Sequence, residues 1–269
     1  ETAAPEGYIL AGEQIFSLSG GEVETLEIVV LNSKTPVPVK TVDQTYFENF
    51  AASREFTISV PVGSVAGMST FRIEDSIDPY FQVTDIQTLV DTEEVEGIQA
   101  ELDGSLLTLN IEGDDLAKIA NSTVNIIYSV TLKDEFKYED LPADYKVEGI
   151  PNQAGLIIDN RPRVNTEIKK VEVPVGEVEF IKTASGKPLA DGQTASFKLY
   201  RVVGERDDLT TDQDDAEDVY VDTYTTSKDQ GLDRIHVTNL QPGTYYFIES
   251  AAPQGYVLDK TPHVFTIVV

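Results

Sequence analysis

Period-two alternation runs through most of this chain and limits it to sheet structure. The segments Phe56-Thr57-Ile58-Ser59-Val60, Leu107-Thr108-Leu109-Asn110-Ile111, Val124-Asn125-Ile126-Ile127-Tyr128-Ser129-Val130 and Ser196-Phe197-Lys198-Leu199-Tyr200 each put their apolar side chains on one face of a pleated strand. Turn signals separate such runs, at Asp103-Gly104, Ser185-Gly186-Lys187-Pro188 and Gln241-Pro242-Gly243. Many short half-buried strands between turns predict an all-β chain built of antiparallel β-sandwiches. Residues 114–120 alone read as a short helix, with aspartates at the start where the helix dipole favours them.

A duplication organises the chain. Residues 1–10 read ETAAPEGYIL and residues 249–258 read ESAAPQGYVL, identical at seven of ten positions. The second copy follows an alternating run, Tyr245-Tyr246-Phe247-Ile248-Glu249, and precedes a strand over 263–269. The first copy has a following strand over 26–32 but no strand before it. Residues 1–35 are therefore expected to be the C-terminal remnant of a preceding domain. A complete sandwich is expected over 36–174 and a second over 175–269, with Pro174 and Gly176 marking the join.

Composition removes several function classes. Forty-seven acidic against 20 basic residues give a formal net charge of −27, which repels phosphate backbones, so nucleic acid is not an expected partner. No apolar run reaches the roughly 20 residues needed to span a bilayer. Two histidines, no cysteine, no GxSxG and no glycine-rich phosphate loop leave the usual nucleophile, metal and nucleotide sites without their parts. No cofactor or metal is expected, and turnover of an external substrate is not. The acidic run over 206–218 lacks the glycine and terminal glutamate of an EF-hand loop and reads as a solvated insertion. Without cysteine, disulfides cannot staple these sandwiches.

What remains is a set of ionisable and amide side chains on the apolar faces of their strands. Lys182 shares a face with Val178 and Phe180, and Glu249 with Tyr245 and Phe247. In the larger domain Asp75 shares a face with Phe71 and Ile73, and Asn152 with Ala154, Leu156 and Ile158. Lys40 lies in the first strand of that domain, within Pro38-Lys40-Val42. Isolated charges there are costly, so these groups are paired, displaced to the rim, or reacting with something. A buried Lys–Asp ion pair with a hydrogen-bonded asparagine satisfies the strand phase as well as a reactive set does.

A family resemblance separates the two. GEVEFIKTASGKPLADGQTASFKLYR and LQPGTYYFIESAAPQGYVL resemble the Cna-B-type domains of Gram-positive pilins and adhesins over residues 177–269. VKTVD, EFTISVPV, FRIEDSID and IPNQAGLIIDN, within 36–170, resemble the isopeptide-forming domain of fimbrial backbone subunits. The resemblance implies tandem immunoglobulin-like (Cna-type) β-sandwiches in a shaft or stalk subunit of a sortase-assembled pilus. That protein would be extracellular, anchored to a Gram-positive cell wall and crosslinked by its own Lys–Asn isopeptide bonds. It implies Lys40 as nucleophile, Asp75 as catalytic acid and Asn152 as acceptor in the first domain, and Lys182 as nucleophile with Glu249 as catalyst in the second. Family members carry the second acceptor, Asn or Asp, in the last strand, and 263–269 contain neither. The equivalent strand of the remnant ends in Asn32, so the acceptor of Lys182 is expected beyond Val269. Implied partners are other pilin subunits through sortase-made linkage, for which Lys34 is a candidate. The alternative is the stalk of a host-binding adhesin, whose partners would be host matrix or cell-surface proteins.

Overall fold

The computed structural model describes residues 4–9, 11–13, 15–17, 28–30, 32–204, 218–226 and 233–268. Strands take up 48% of the chain and helix 7%, as the alternation demands. The chain divides into two compact units, one of residues 1–47 and 51–172 and the other of 48–50 and 173–269.

The first unit has two main antiparallel sheets. One orders the strands Val39–Val42, Arg54–Pro61, Thr123–Leu132 and Phe81–Val90. The other orders Val164–Asn165, Ala154–Ile158, Thr70–Ser76, Leu106–Glu112 and Glu101–Asp103. Every second residue of the central strands is buried: Phe56, Ile58, Val60, Val124, Ile126, Tyr128 and Val130 on one sheet, and Phe71, Ile73, Leu107, Leu109 and Ile111 on the other. Arg54 also falls on the inward phase, where Gln44 Oε1 accepts from its Nη1 at 2.7 Å and the Phe47 ring lies 5.9 Å beneath it.

A third piece, Ile150–Asn152 paired with Lys169–Val171, carries the chain into Ala154–Ile158. Its entry is Gly149, at φ +87°. A Cβ there would meet the Val171 carbonyl at 2.8 Å, so glycine meets both a backbone and a packing requirement. The short helix expected over 114–120 is a 3-10 helix, Gly113–Ile119. Its buried residues, Leu116 and Ile119, are three apart, and three residues per turn puts them on one face. A short helix that the alternation does not announce, Ala143–Glu148, precedes Gly149.

The duplicated motif's first copy lies within this unit. Ile9 is buried, its N–H donates to Ser33 O (2.7 Å), and Thr35 N–H donates to Gly7 O (2.9 Å). Of the strand expected over 26–32, residues 28–30 and 32 are in no strand, and the others lie outside the described residues. Residues 28–30 are exposed.

In the second unit a four-stranded sheet orders Val219–Thr225, Ser196–Arg201, Gly243–Ala251 and His263–Ile267. Gly176–Ile181 pairs with Arg234–Leu240, and a hairpin joins Thr183–Ala184 to Lys187–Pro188 through Ser185 and Gly186, both at positive φ. Phe180 packs on Phe197 at 4.7 Å and Phe247 at 4.8 Å, closing the core across the two sheets. The acidic insertion over 206–218 lies outside the described residues except Asp218, whose carboxylate accepts from Val203 N–H (3.1 Å) and Tyr246 O–H (2.8 Å).

Candidate functional site

The first unit brings Lys40, Asp75 and Asn152 together in its core, and adds Tyr128. Their exposures are 1%, 0%, 2% and 1%, so the cluster has no contact with bulk water. Each comes from a different strand. Lys40 sits opposite Ile58 on the first strand of one sheet, and Tyr128 on the strand that pairs with the far side of Arg54–Pro61. Asp75 comes from the central strand of the other sheet, between Leu107 and Ala154. Asn152 ends the short strand after Gly149. Thr166 holds the chain just beyond it: its Oγ1 accepts from Ala154 N–H (3.1 Å), and Gln153 Nε2 donates to its carbonyl (2.7 Å).

A hydrogen-bonded chain threads the four residues. Lys40 Nζ donates to Asp75 Oδ2. Tyr128 O–H donates to the same oxygen at 2.6 Å, and Asn152 Nδ2 donates to the Tyr128 hydroxyl at 2.7 Å. The lysine amine also lies over the rings of Phe56 (5.0 Å) and Tyr128 (5.4 Å), which stack on each other at 5.5 Å. Two buried acceptors have no hydrogen-bond partner, Asp75 Oδ1 and Asn152 Oδ1. An unsatisfied buried acceptor costs about 1 to 3 kcal/mol, and two in one cluster mark a site not arranged for stability alone.

Burial pulls the Lys40 amine down from 10.5 to about 8, against the opposing pull of the Asp75 charge and hydrogen bond. The amine is therefore far closer to its neutral, nucleophilic form at physiological pH than a surface lysine. The Tyr128 hydroxyl is raised well above 10, first by burial and then by the Asp75 charge, and stays protonated.

The second unit brings Lys182 and Glu249 together with different geometry. Lys182 Nζ lies 3.0 Å from Glu249 Oε1, and the carboxyl side chain is fully buried while the lysine side chain keeps 17% of its exposure. The pair is close but poorly aligned, since Oε1 has no hydrogen bond; Oε2 accepts from Asp259 N–H at 2.6 Å. The adjacent edge strand His263–Ile267 contributes no asparagine or aspartate. Asn32 is half-buried in the first unit beside Ser33, and Lys34 is exposed. Among the described residues no three His, Asp or Glu side chains converge as a metal site, and no helix is long and apolar enough to cross a membrane.

Sequence reasoning on the site missed Tyr128. Its signal was present, because Tyr128 alternates in phase with Val124, Ile126 and Val130, which turns a hydroxyl toward the core.

Comparisons with known proteins agree with this architecture. Residues 176–268 match the family described as SpaA, prealbumin-like fold domain. No curated protein matches the chain. Among solved structures the chain is similar to BcpA, the major pilin subunit of Bacillus cereus, at 15% identity over 99% of this chain and 79% of that one, with a TM-score of 0.63. It is similar to the full-length major pilin RrgB of Streptococcus pneumoniae at 11% identity over 89% and 70% of the two chains (TM-score 0.56). For the full-length major pilin SpaD of Corynebacterium diphtheriae the values are 21%, 99% and 70%, with a TM-score of 0.50. At such identities the shared property is the fold. The chain thus carries a SpaA-type prealbumin-like domain over residues 176–268 and has, as a whole, the fold of Gram-positive major pilins.

Proposed function

We propose that this protein is a structural subunit of a cell-surface pilus, a shaft or stalk segment, held together by a self-made amide bond between Lys40 and Asn152. The observation that carries the reading is the dry Lys40–Asp75–Asn152 cluster, whose two unpartnered acceptors an ion pair alone does not explain. Lys40 is the nucleophile, Asn152 the acceptor and Asp75 the acid. Lysine and carboxyl share one proton, and with that proton on Asp75 the amine is neutral and the carboxyl becomes a donor that can polarise the amide. Folding supplies the proximity, so the step runs once per molecule without an enzyme. Whole-protein mass should lie one ammonia below the calculated value, and Lys40→Ala should restore it. An unmodified wild-type mass excludes the bond.

In the second unit Lys182 and Glu249 take the corresponding nucleophile and catalyst roles, with an acceptor not among residues 263–268. The charge of −27 and the absence of cysteine suit an extracellular shaft stapled without disulfides. Other pilin subunits are the partners, joined by sortase in a Gram-positive cell wall. The pilin neighbours share the fold of the whole chain, which favours a shaft over an adhesin stalk.

A further inference from the structure

Amide exchange at Asn152 needs a proton on the departing nitrogen, and that nitrogen is hydrogen-bonded to Tyr128. Nδ2 lies 2.7 Å from the tyrosine hydroxyl, which lies 2.6 Å from Asp75 Oδ2, the oxygen that also holds Lys40 Nζ. We propose that Tyr128 is a further catalytic residue, whose hydroxyl carries the proton from Asp75 to the leaving nitrogen of Asn152. This rests on the Lys40–Asn152 bond proposed above.

The neutral Lys40 amine attacks Asn152 Cγ and forms the N–C bond, and the amide carbon becomes tetrahedral. Asp75 gives its proton to the amide oxygen of Asn152 as the carbon becomes tetrahedral and takes one from the new nitrogen, while Nδ2, no longer conjugated, gains a lone pair and becomes an acceptor. The Tyr128 hydroxyl then reverses its direction. It donates its proton to Nδ2 and takes one from Asp75, the Cγ–Nδ2 bond breaks as the oxygen returns its proton to Asp75, and ammonia leaves. Amine plus primary amide become secondary amide plus ammonia, and Asp75 and Tyr128 end as they began.

The tyrosine is built for this. A hydroxyl both donates and accepts, which a relay requires. Its strand, Thr123–Leu132, is hydrogen-bonded on both sides, to Arg54–Pro61 and Phe81–Val90, and its ring is stacked on Phe56. Burial keeps its proton in place until the intermediate forms.

The test uses the full chain made by cell-free translation, quenched into denaturant at timed points and weighed. Tyr128→Phe keeps the ring and the stack but removes the relay. It should give folded protein by far-UV circular dichroism whose loss of ammonia is slowed on the order of 100-fold or more. A rate within about threefold of wild type overturns the relay. A wild type that never loses ammonia sinks the underlying bond instead, so the two failures are distinct. If Tyr128→Phe does not fold, 3-fluorotyrosine placed at position 128 preserves size and hydroxyl but makes the group more acidic. The rate should then shift several-fold, and an unchanged rate overturns the proposal.

Discussion

Asn152→Ala leaves the Lys40–Asp75 pair in place and removes only the partner for the crosslink. The bond between Lys40 and Asn152 would close a loop of roughly 110 residues in the unfolded chain, worth about 5 kcal/mol on the chain-entropy model used for disulfides. The bonded protein has already lost Nδ2, so the Asn152–Tyr128 hydrogen bond does not enter the difference. For a unit of this size each kcal/mol moves the melting temperature by about 2 to 4 °C, giving an expected drop of about 10 to 20 °C for the first unit. Scanning calorimetry measures it. The second unit has its own core around Phe197, Leu199 and Phe247, so its transition serves as the internal reference. If wild type carries the bond and Asn152→Ala melts within about 3 °C of it, the crosslink does not stabilise by restricting the unfolded chain.

Other outcomes follow from the same geometry. Bond formation should slow about tenfold per pH unit above about 8, because the pair loses there the shared proton that Asp75 must supply; timed mass measurements that instead rise through pH 8 would assign the limit to amine deprotonation alone. In the unbonded Asn152→Ala protein the folded Lys40 value, about 8, lies below the unfolded 10.5, so the unfolded chain binds the extra proton. Its stability should therefore increase between pH 8 and 10 by up to about 3 kcal/mol in urea titrations, before Tyr128 reverses the trend above 10; a flat profile would contradict a desolvated amine. Lys182→Ala should leave the mass deficit of this chain unchanged, since residues 263–268 offer Lys182 no asparagine or aspartate; loss of the deficit would place the bond in the wrong unit. Gly149→Ala should melt several degrees lower and form the bond more slowly, because a Cβ at that position collides with the Val171 carbonyl and displaces the strand that ends in Asn152.

Much of this was legible in strand phase. Alternation alone turned Asp75 inward with Phe71 and Ile73, and Asn152 inward with Ala154 and Leu156, because a period of two leaves no third option. Lys40 was harder, since its strand is only four residues long and its neighbours Val39 and Val42 do not mark a face. Lys182 follows the inward phase but keeps part of its exposure, because it lies just past the end of Gly176–Ile181. Tyr128 escaped notice because an aromatic on an inward face is ordinary; only the three-dimensional meeting of its hydroxyl with Asp75 and Asn152 gives it chemistry. The 3-10 geometry over Gly113–Ile119 and the entry helix Ala143–Glu148 depend on local packing that no period reports.

Tandem mass spectrometry of a proteolytic digest of the wild-type chain looks for the Lys40–Asn152 bond itself. The expected product is a branched peptide joining the Lys40 segment to the Asn152 segment, lighter by one ammonia than the two together. Recovery of both segments as separate linear peptides at their calculated masses would contradict it.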